Sequence, residues 1–328
     1  NNIPMNDDIV TFAEVLRRQG YATGYAGKWH LDGTGKPQWA PQRRFGFDDN
    51  RYMFNRGHWK QLEDTPTGPR VKARKGNRPT YNVQGADATS FTTDFLCDRT
   101  VEFLQEYRDR PFCYMVSLPD PHGPDSVRPP YDTMFKDQKY EVPRTFNKPN
   151  EGLPSWGAKQ GRFLDMASYY GMVKCIDDNV GKILACLRAN RLIDHTIVVF
   201  TADHGDLRGE HHRQNKGVPY EGSARIPFVM RCAGVIRPGT VVHEAMTCVD
   251  FKPTILSLMG VTAPREAGRD CSSLLVEGQT PTGWNDIAFM RGTGTEQGWV
   301  DTVARRYKLV YSTPLYPRLF DLEKDPDE

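Results

Sequence analysis

Apolar runs of strand length alternate along this chain with stretches of helical periodicity, and that alternation limits the fold more than any other feature. Phe112-Cys113-Tyr114-Met115-Val116-Ser117 and Thr196-Ile197-Val198-Val199-Phe200 read as strands, and 226–231 as another. Val173, Ile176, Val180, Ile183, Leu184 and Leu187 recur at the spacing of one helix face. Other helices are expected over Ile9, Phe12, Ala13 and Leu16, capped by Asp7 or Asp8 and ended by Gly20, near 93–107, and near 251–259, closed by Gly260. Strands alternating with helices predict an α/β fold, a mostly parallel sheet sandwiched by helices. After about residue 285 the texture changes to short strands with turns between them, at 287–291, 303–305, 307–311 and 319–322. The expected division is a main α/β domain over 1–285 and a small C-terminal antiparallel β subdomain over 286–328. Residues 33–92 and 124–160 are polar and aperiodic, and are expected to run over the surface.

Composition removes several function classes. In 328 residues, 38% hydrophobic content is enough for a sizeable core. Lysine plus arginine number 43 against 41 acidic residues, a net charge of +2 that signals neither a nucleic-acid nor a membrane partner. No apolar run approaches a membrane span. The seven cysteines form no C-x-x-C pair, so a thiolate zinc site is not expected and they read as small buried hydrophobes.

Two of the strands end abruptly in polar residues, one run leading to His122 and the other to Asp203-His204. In an open parallel sheet, ligands bind beyond the carboxyl ends of the strands. Lys28, His30 and Lys216 also follow strand ends or lie in nearby loops. Lysines, histidines and an aspartate together suit a small, highly charged anion held beside a metal ion. Taken singly, each residue has a plainer reading. Asp203 is a turn former, His122 a loop histidine between prolines, Lys28 and Lys216 solvated charges. His211-His212 reads as part of a wet loop with no role. The basic stretch Arg70, Lys72, Arg74, Lys75 and Arg78 reads as a solvated loop, with contact to an anionic polymer as the alternative.

In order, these segments resemble one family. Gly20-Tyr21-Ala22-Thr23 followed by Gly27-Lys28-Trp29-His30-Leu31 is similar to a sulfatase signature, G-Y-x-T then G-K-W-H-L. Thr201-Ala202-Asp203-His204-Gly205-Asp206 resembles the family's T-x-D-[HN]-G. Lys216 with Tyr220-Glu221 through Arg225-Ile226-Pro227 resembles K-x-x-x-Y-E-x-x-x-R-x-P. Tyr170, Ile176-Asp177 and Val180-Gly181 resemble its long core helix, and Phe320-Asp321-Leu322-Glu323-Lys324-Asp325-Pro326 its L-Y-D-L-x-x-D-P ending. The resemblance implies an alkaline-phosphatase-like fold and a metal-assisted, formylglycine-dependent hydrolysis of sulfate monoesters, small or oligosaccharide. It implies Asp203 and His204 as ligands of a divalent metal, calcium first, with manganese or another divalent ion as alternatives. It implies Lys28 and Lys216 on the sulfate oxygens, His30 at the nucleophile and His122 as the acid for the leaving alcohol. The long polar stretches suit a carbohydrate sulfate, and the family resemblance favours a periplasmic or secreted setting.

One departure is plain. No cysteine or serine here begins the C-x-P-S-R or S-x-P-S-R motif whose first residue becomes formylglycine. The formylglycine is therefore expected upstream, these 328 residues alone are expected to be inactive, and the ending at Glu328 reads as clipped. Two rivals remain: a phosphonate monoester hydrolase or phosphodiesterase of the same superfamily, and a non-catalytic protein that binds sulfated glycans.

Overall fold

A short helix and a buried strand open the ordered chain. Helix α1 (Phe12–Arg18) packs on strand β1 (Ala22–Lys28). Its cap is Thr11, whose Oγ1 accepts from the Glu14 N–H at 3.1 Å, and not Asp7 or Asp8. Ile9 stands 52% exposed, so apolar spacing places the start one turn too early. A hydroxyl at the helix start satisfies one of its orphan N–H groups.

The computed structural model describes residues 4–147, 166–262, 267–292, 298–312 and 317–328. The chain forms two compact units, Asn1–Tyr140 with Asp165–Ile193, and Glu141–Leu164 with Asp194–Glu328. The first unit continues through β2 (Met53–Phe54), the hairpins β3 (Leu62–Thr65) with β4 (Gly68–Val71) and β5 (Arg74–Lys75) with β6 (Arg78–Pro79), helix α2 (Thr92–Glu106), strand β7 (Phe112–Ser117) and helix α3 (Ala167–Ala189). Strands β2, β1 and β7 lie in that order and parallel, with Lys28 level with Phe54 and Gly27 level with Ser117. Helices α2 and α3 pack together, and Met172, Cys175, Ile176, Asn179, Cys186 and Leu187 form the buried stripe of α3.

Residues 33–92 skirt the surface only in part: most of 63–89 does, and the rest does not. Phe47, Phe54, Trp59, Leu62 and Phe91 are almost fully buried there. Strands of two to four residues are too short to print a period on the sequence, which is why the segment looked irregular. The part of 124–160 up to residue 147 also contributes to a core through Val127 and Tyr131, and the rest lies outside the described residues.

In the second unit, β8 (Val198–Thr201) leads through a loop to α4 (Glu221–Ala224) and to β9 (Phe228–Arg231), which pairs with β8 antiparallel. Helices α5 (Phe251–Leu258) and α6 (Ser272–Glu277) follow. Strands β10 (Ala288–Arg291), β11 (Trp299–Ala304), β12 (Tyr307–Ser312) and β13 (Arg318–Asp321) then form the expected antiparallel sheet of four strands in sequential order. No described helix is long and apolar enough to cross a membrane.

Candidate active site

In the first unit the site grows from the carboxyl end of β1. Gly27 there has φ +104°, and a Cβ would stand 1.9 Å from the Ser117 carbonyl oxygen, so only glycine lets β1 and β7 run this close. Lys28 follows, and beyond it the backbone N–H groups of Trp29 and His30 donate to Phe54 and Asn55 carbonyls at 2.8 and 2.7 Å. His30 takes φ +62°, the left-handed region. The turn after it is tied by the buried Asn55 amide, which donates to the carbonyls of Asp32, Gly33 and Gly35 and accepts from the Asp32 N–H.

Lys28 Nζ lies 2.9 Å from His58 Nε2, and the His58 ring stacks on His122 with centroids 3.6 Å apart and planes 8° from parallel. Lys28 and His122, both expected from the sequence, are thus joined through a residue that sequence reading missed. An ammonium group has only hydrogens to give, so with Lys28 charged His58 accepts at Nε2 and is the neutral Nδ1–H tautomer. His122 Nδ1 lies 3.0 Å from the Gly123 carbonyl oxygen. A carbonyl only accepts, so in this contact Nδ1 carries the hydrogen. Gly57 enables the turn at His58: its φ is +119°, and a Cβ would meet the Trp59 ring at 2.2 Å. The only sequence signal for His58 was that Gly-His-Trp punctuation inside an aperiodic stretch.

In the second unit the strand β8 ends in Ala202-Asp203-His204-Gly205. His204 Nδ1 donates to the Gly205 carbonyl at 2.8 Å, and Nε2 faces Asp203 Oδ2 at 3.3 Å. Two such acceptors stay together when a positive charge lies between them, either a proton on Nε2 or a shared cation. Adjacent ligands of one ion stand about 3.0–3.4 Å apart, so the spacing fits two neighbouring positions on a divalent metal. Among the described residues no group of three or more His, Cys, Asp or Glu could hold a metal. Asp203 and His204 stand as a pair of donors, fewer than the six or more calcium takes. Asp206 organises the loop that follows, accepting from the N–H groups of Arg208 and Asn215 at 3.3 and 2.9 Å. Lys216 comes next in the chain, just before Gly217, whose N–H donates to Ser223 Oγ at 3.1 Å. His211 is not in a wet loop: it is buried and stacks on Tyr220 at 3.6 Å.

All seven cysteines are free thiols. Burial pushes Cys97 and Cys113 up to about 12 and Cys271 up to about 11, which leaves them in the inert thiol form at neutral pH.

The profile of the family described as Sulfatase matches residues 3–261. The chain belongs to the sulfatase family. A second profile, N-sulphoglucosamine sulphohydrolase, C-terminal, matches residues 209–328. An arylsulfatase of Clostridium perfringens is 30% identical over 365 aligned positions, covering 97% of this chain and 72% of the relative. An ulvan-active sulfatase of Formosa agariphila is 27% identical over 282 residues, 84% of this chain, but the chain spans only 51% of that relative. Among solved structures, the sulfatase-type protein yidJ of Bacteroides fragilis superposes with a TM-score of 0.79 at 26% identity, covering 99% of this chain and 73% of that one. A second, solved with its substrate D-glucosamine-2-N,6-O-disulfate, has a TM-score of 0.78 at 20% identity, covering 100% of this chain and 78% of its own, and bears on the fold alone. The α/β, alkaline-phosphatase-like expectation agrees with these neighbours. Sulfatases use a metal ion and a formylglycine.

Proposed function

We propose that this sulfatase-family chain serves the hydrolysis of sulfate monoesters on a carbohydrate. The observation that carries the reading is the direct run of contacts Lys28, His58, His122. Lys28 and Lys216 bind sulfate oxygens, where two ammonium groups stabilise the charge that builds as the ester bond breaks. The bridging oxygen leaves with the electron pair of the S–O bond and takes the proton from His122 Nε2, which ends neutral. His30 contacts the nucleophile. Asp203 and His204 hold a divalent cation, calcium in this reading, which supplies further positive charge at the sulfate. Formylglycine supplies the nucleophile, and no C-x-P-S-R or S-x-P-S-R lies within residues 1–328. The organisation proposed is a main domain over 1–285 with a C-terminal subdomain over 286–328.

A carbohydrate ester accords with the ulvan-active relative. The test measures kcat/KM for nitrophenyl sulfate and for a phenyl phosphonate monoester, using the protein in a form that carries the formylglycine motif. Preference for the sulfate is expected. Preference for the phosphonate would move the chain to the phosphonate hydrolases, and tight binding of sulfated sugar without turnover would make it a glycan-binding protein.

A further inference from the structure

We infer that the buried Lys60–Asp120 ion pair is a positioning pair, which fixes the stack of His58 on His122 and so the place from which His122 acts. The inference rests on the leaving-group role proposed for His122. Lys60 follows His58 by two residues, and Asp120 precedes His122 by two. Lys60 Nζ donates to Asp120 Oδ1 at 2.6 Å, with side-chain exposures of 0% and 2%. The remaining Asp120 oxygen accepts from Thr93 Oγ1 at 2.8 Å, at the start of α2, and Met172 Sδ of α3 lies 3.1 Å from Lys60 Nζ. The pair therefore clips the segment bearing one imidazole to the loop bearing the other, and anchors both to the helices.

Stability alone is a poor account of it. Desolvating two charges offsets most of their attraction, and apolar residues of similar volume often hold a core as well. What an ion pair adds is a fixed geometry with little tolerance, which a reacting group requires to about half an ångström. His58 suits the role of a platform. Held neutral by the Lys28 ammonium, it offers an uncharged ring face to His122 and does not repel the imidazolium form.

The test is the double variant Lys60→Met/Asp120→Leu, which removes both charges and leaves neither stranded, so it is expected to fold where either single change would not. In the 328-residue chain, the ring protons of His58 and His122 should lie upfield of those of the exposed His195 and His243, because each ring shields its partner. The double variant should lose that shift while the rest of the spectrum stays native. In the protein that carries the formylglycine motif, kcat/KM for a sulfated sugar should fall by roughly tenfold or more, and that for nitrophenyl sulfate far less, since a nitrophenolate leaves without a proton. An intact upfield shift in the double variant, or equal losses on both esters, would overturn the inference. If the unsubstituted protein hydrolyses neither ester, the proposed function fails, and the ring shifts still decide whether the pair sets the stack.

Discussion

Both units bury charge in pairs, the second through Lys308 with Glu221 and Glu328 at 2.6 and 2.7 Å and through Asp250 with Arg269 at 2.7 Å, but the groups of the candidate site are held differently. In the first, charge is sunk beneath the site and every buried ion has a partner: Lys60 meets Asp120, and Arg128 makes a two-pronged pair with Asp94 at 2.7 and 2.8 Å. In the second, the Asp203 side chain is 82% exposed and its partner His204 is its neighbour in sequence. The core of the second unit also carries a carboxylate, Asp301, with no exposure and no hydrogen bond to either oxygen among the described residues, although Lys308 is nearby. The first unit presets its groups by packing. In the second, Asp203 stands exposed beside its sequence neighbour His204.

The sharpest break of this contrast is Lys60→Met alone. It strands Asp120 as an unpaired buried charge and should cost about 3–5 kcal/mol in urea unfolding. A loss below about 1 kcal/mol would mean that water reaches the pair.

Asp301 should show the reverse behaviour. Burial pushes its carboxyl up to about 7, so the folded state holds the proton more tightly than the unfolded chain does. Its contribution is full at low pH and is lost as pH rises from about 4 to 7, by at most about 4 kcal/mol. Asp301→Asn should therefore gain stability over the parent as pH rises through that window and differ little at pH 4. A constant difference across the window would show that Asp301 stays ionised.

Gly27→Ala should cost about 2–4 kcal/mol, because the new methyl meets the Ser117 carbonyl in a backbone conformation that alanine resists. Thermal unfolding checks it, and an unchanged midpoint would contradict the close approach of β1 and β7. Asp203→Ala stands at the other end of the range. An exposed carboxylate beside its sequence neighbour should change stability by less than about 0.5 kcal/mol. A larger loss without added metal would show that the pair is a structural element.

Much of this was legible in the sequence for a physical reason. Helix α3 is long enough for burial to print a period, β7 shows as a continuous apolar run, and Lys28, His122, Asp203 and His204 stand at strand ends or in the loops that follow them. His58 and Lys60 were not legible. They sit between strands of two and four residues, where core and surface alternate too quickly to be read. The Thr11 cap was missed because two acidic residues nearby offered a commoner signal. His211 looked solvated because the Tyr220 that covers it is distant in sequence by more than a helix turn.

In the proposed function, His122 gives its proton to a departing alcohol while lysine charge holds the sulfate. That reading is tested most directly by comparing His122→Ala and Lys216→Ala on a nitrophenyl sulfate and on a sulfated sugar, in the protein that carries the formylglycine motif. His122→Ala should lower kcat/KM on the sugar by a factor of roughly 10²–10⁴ and on the nitrophenyl ester much less, while Lys216→Ala lowers both. Equal losses on the two substrates for His122→Ala would contradict the account and make that residue a sulfate ligand.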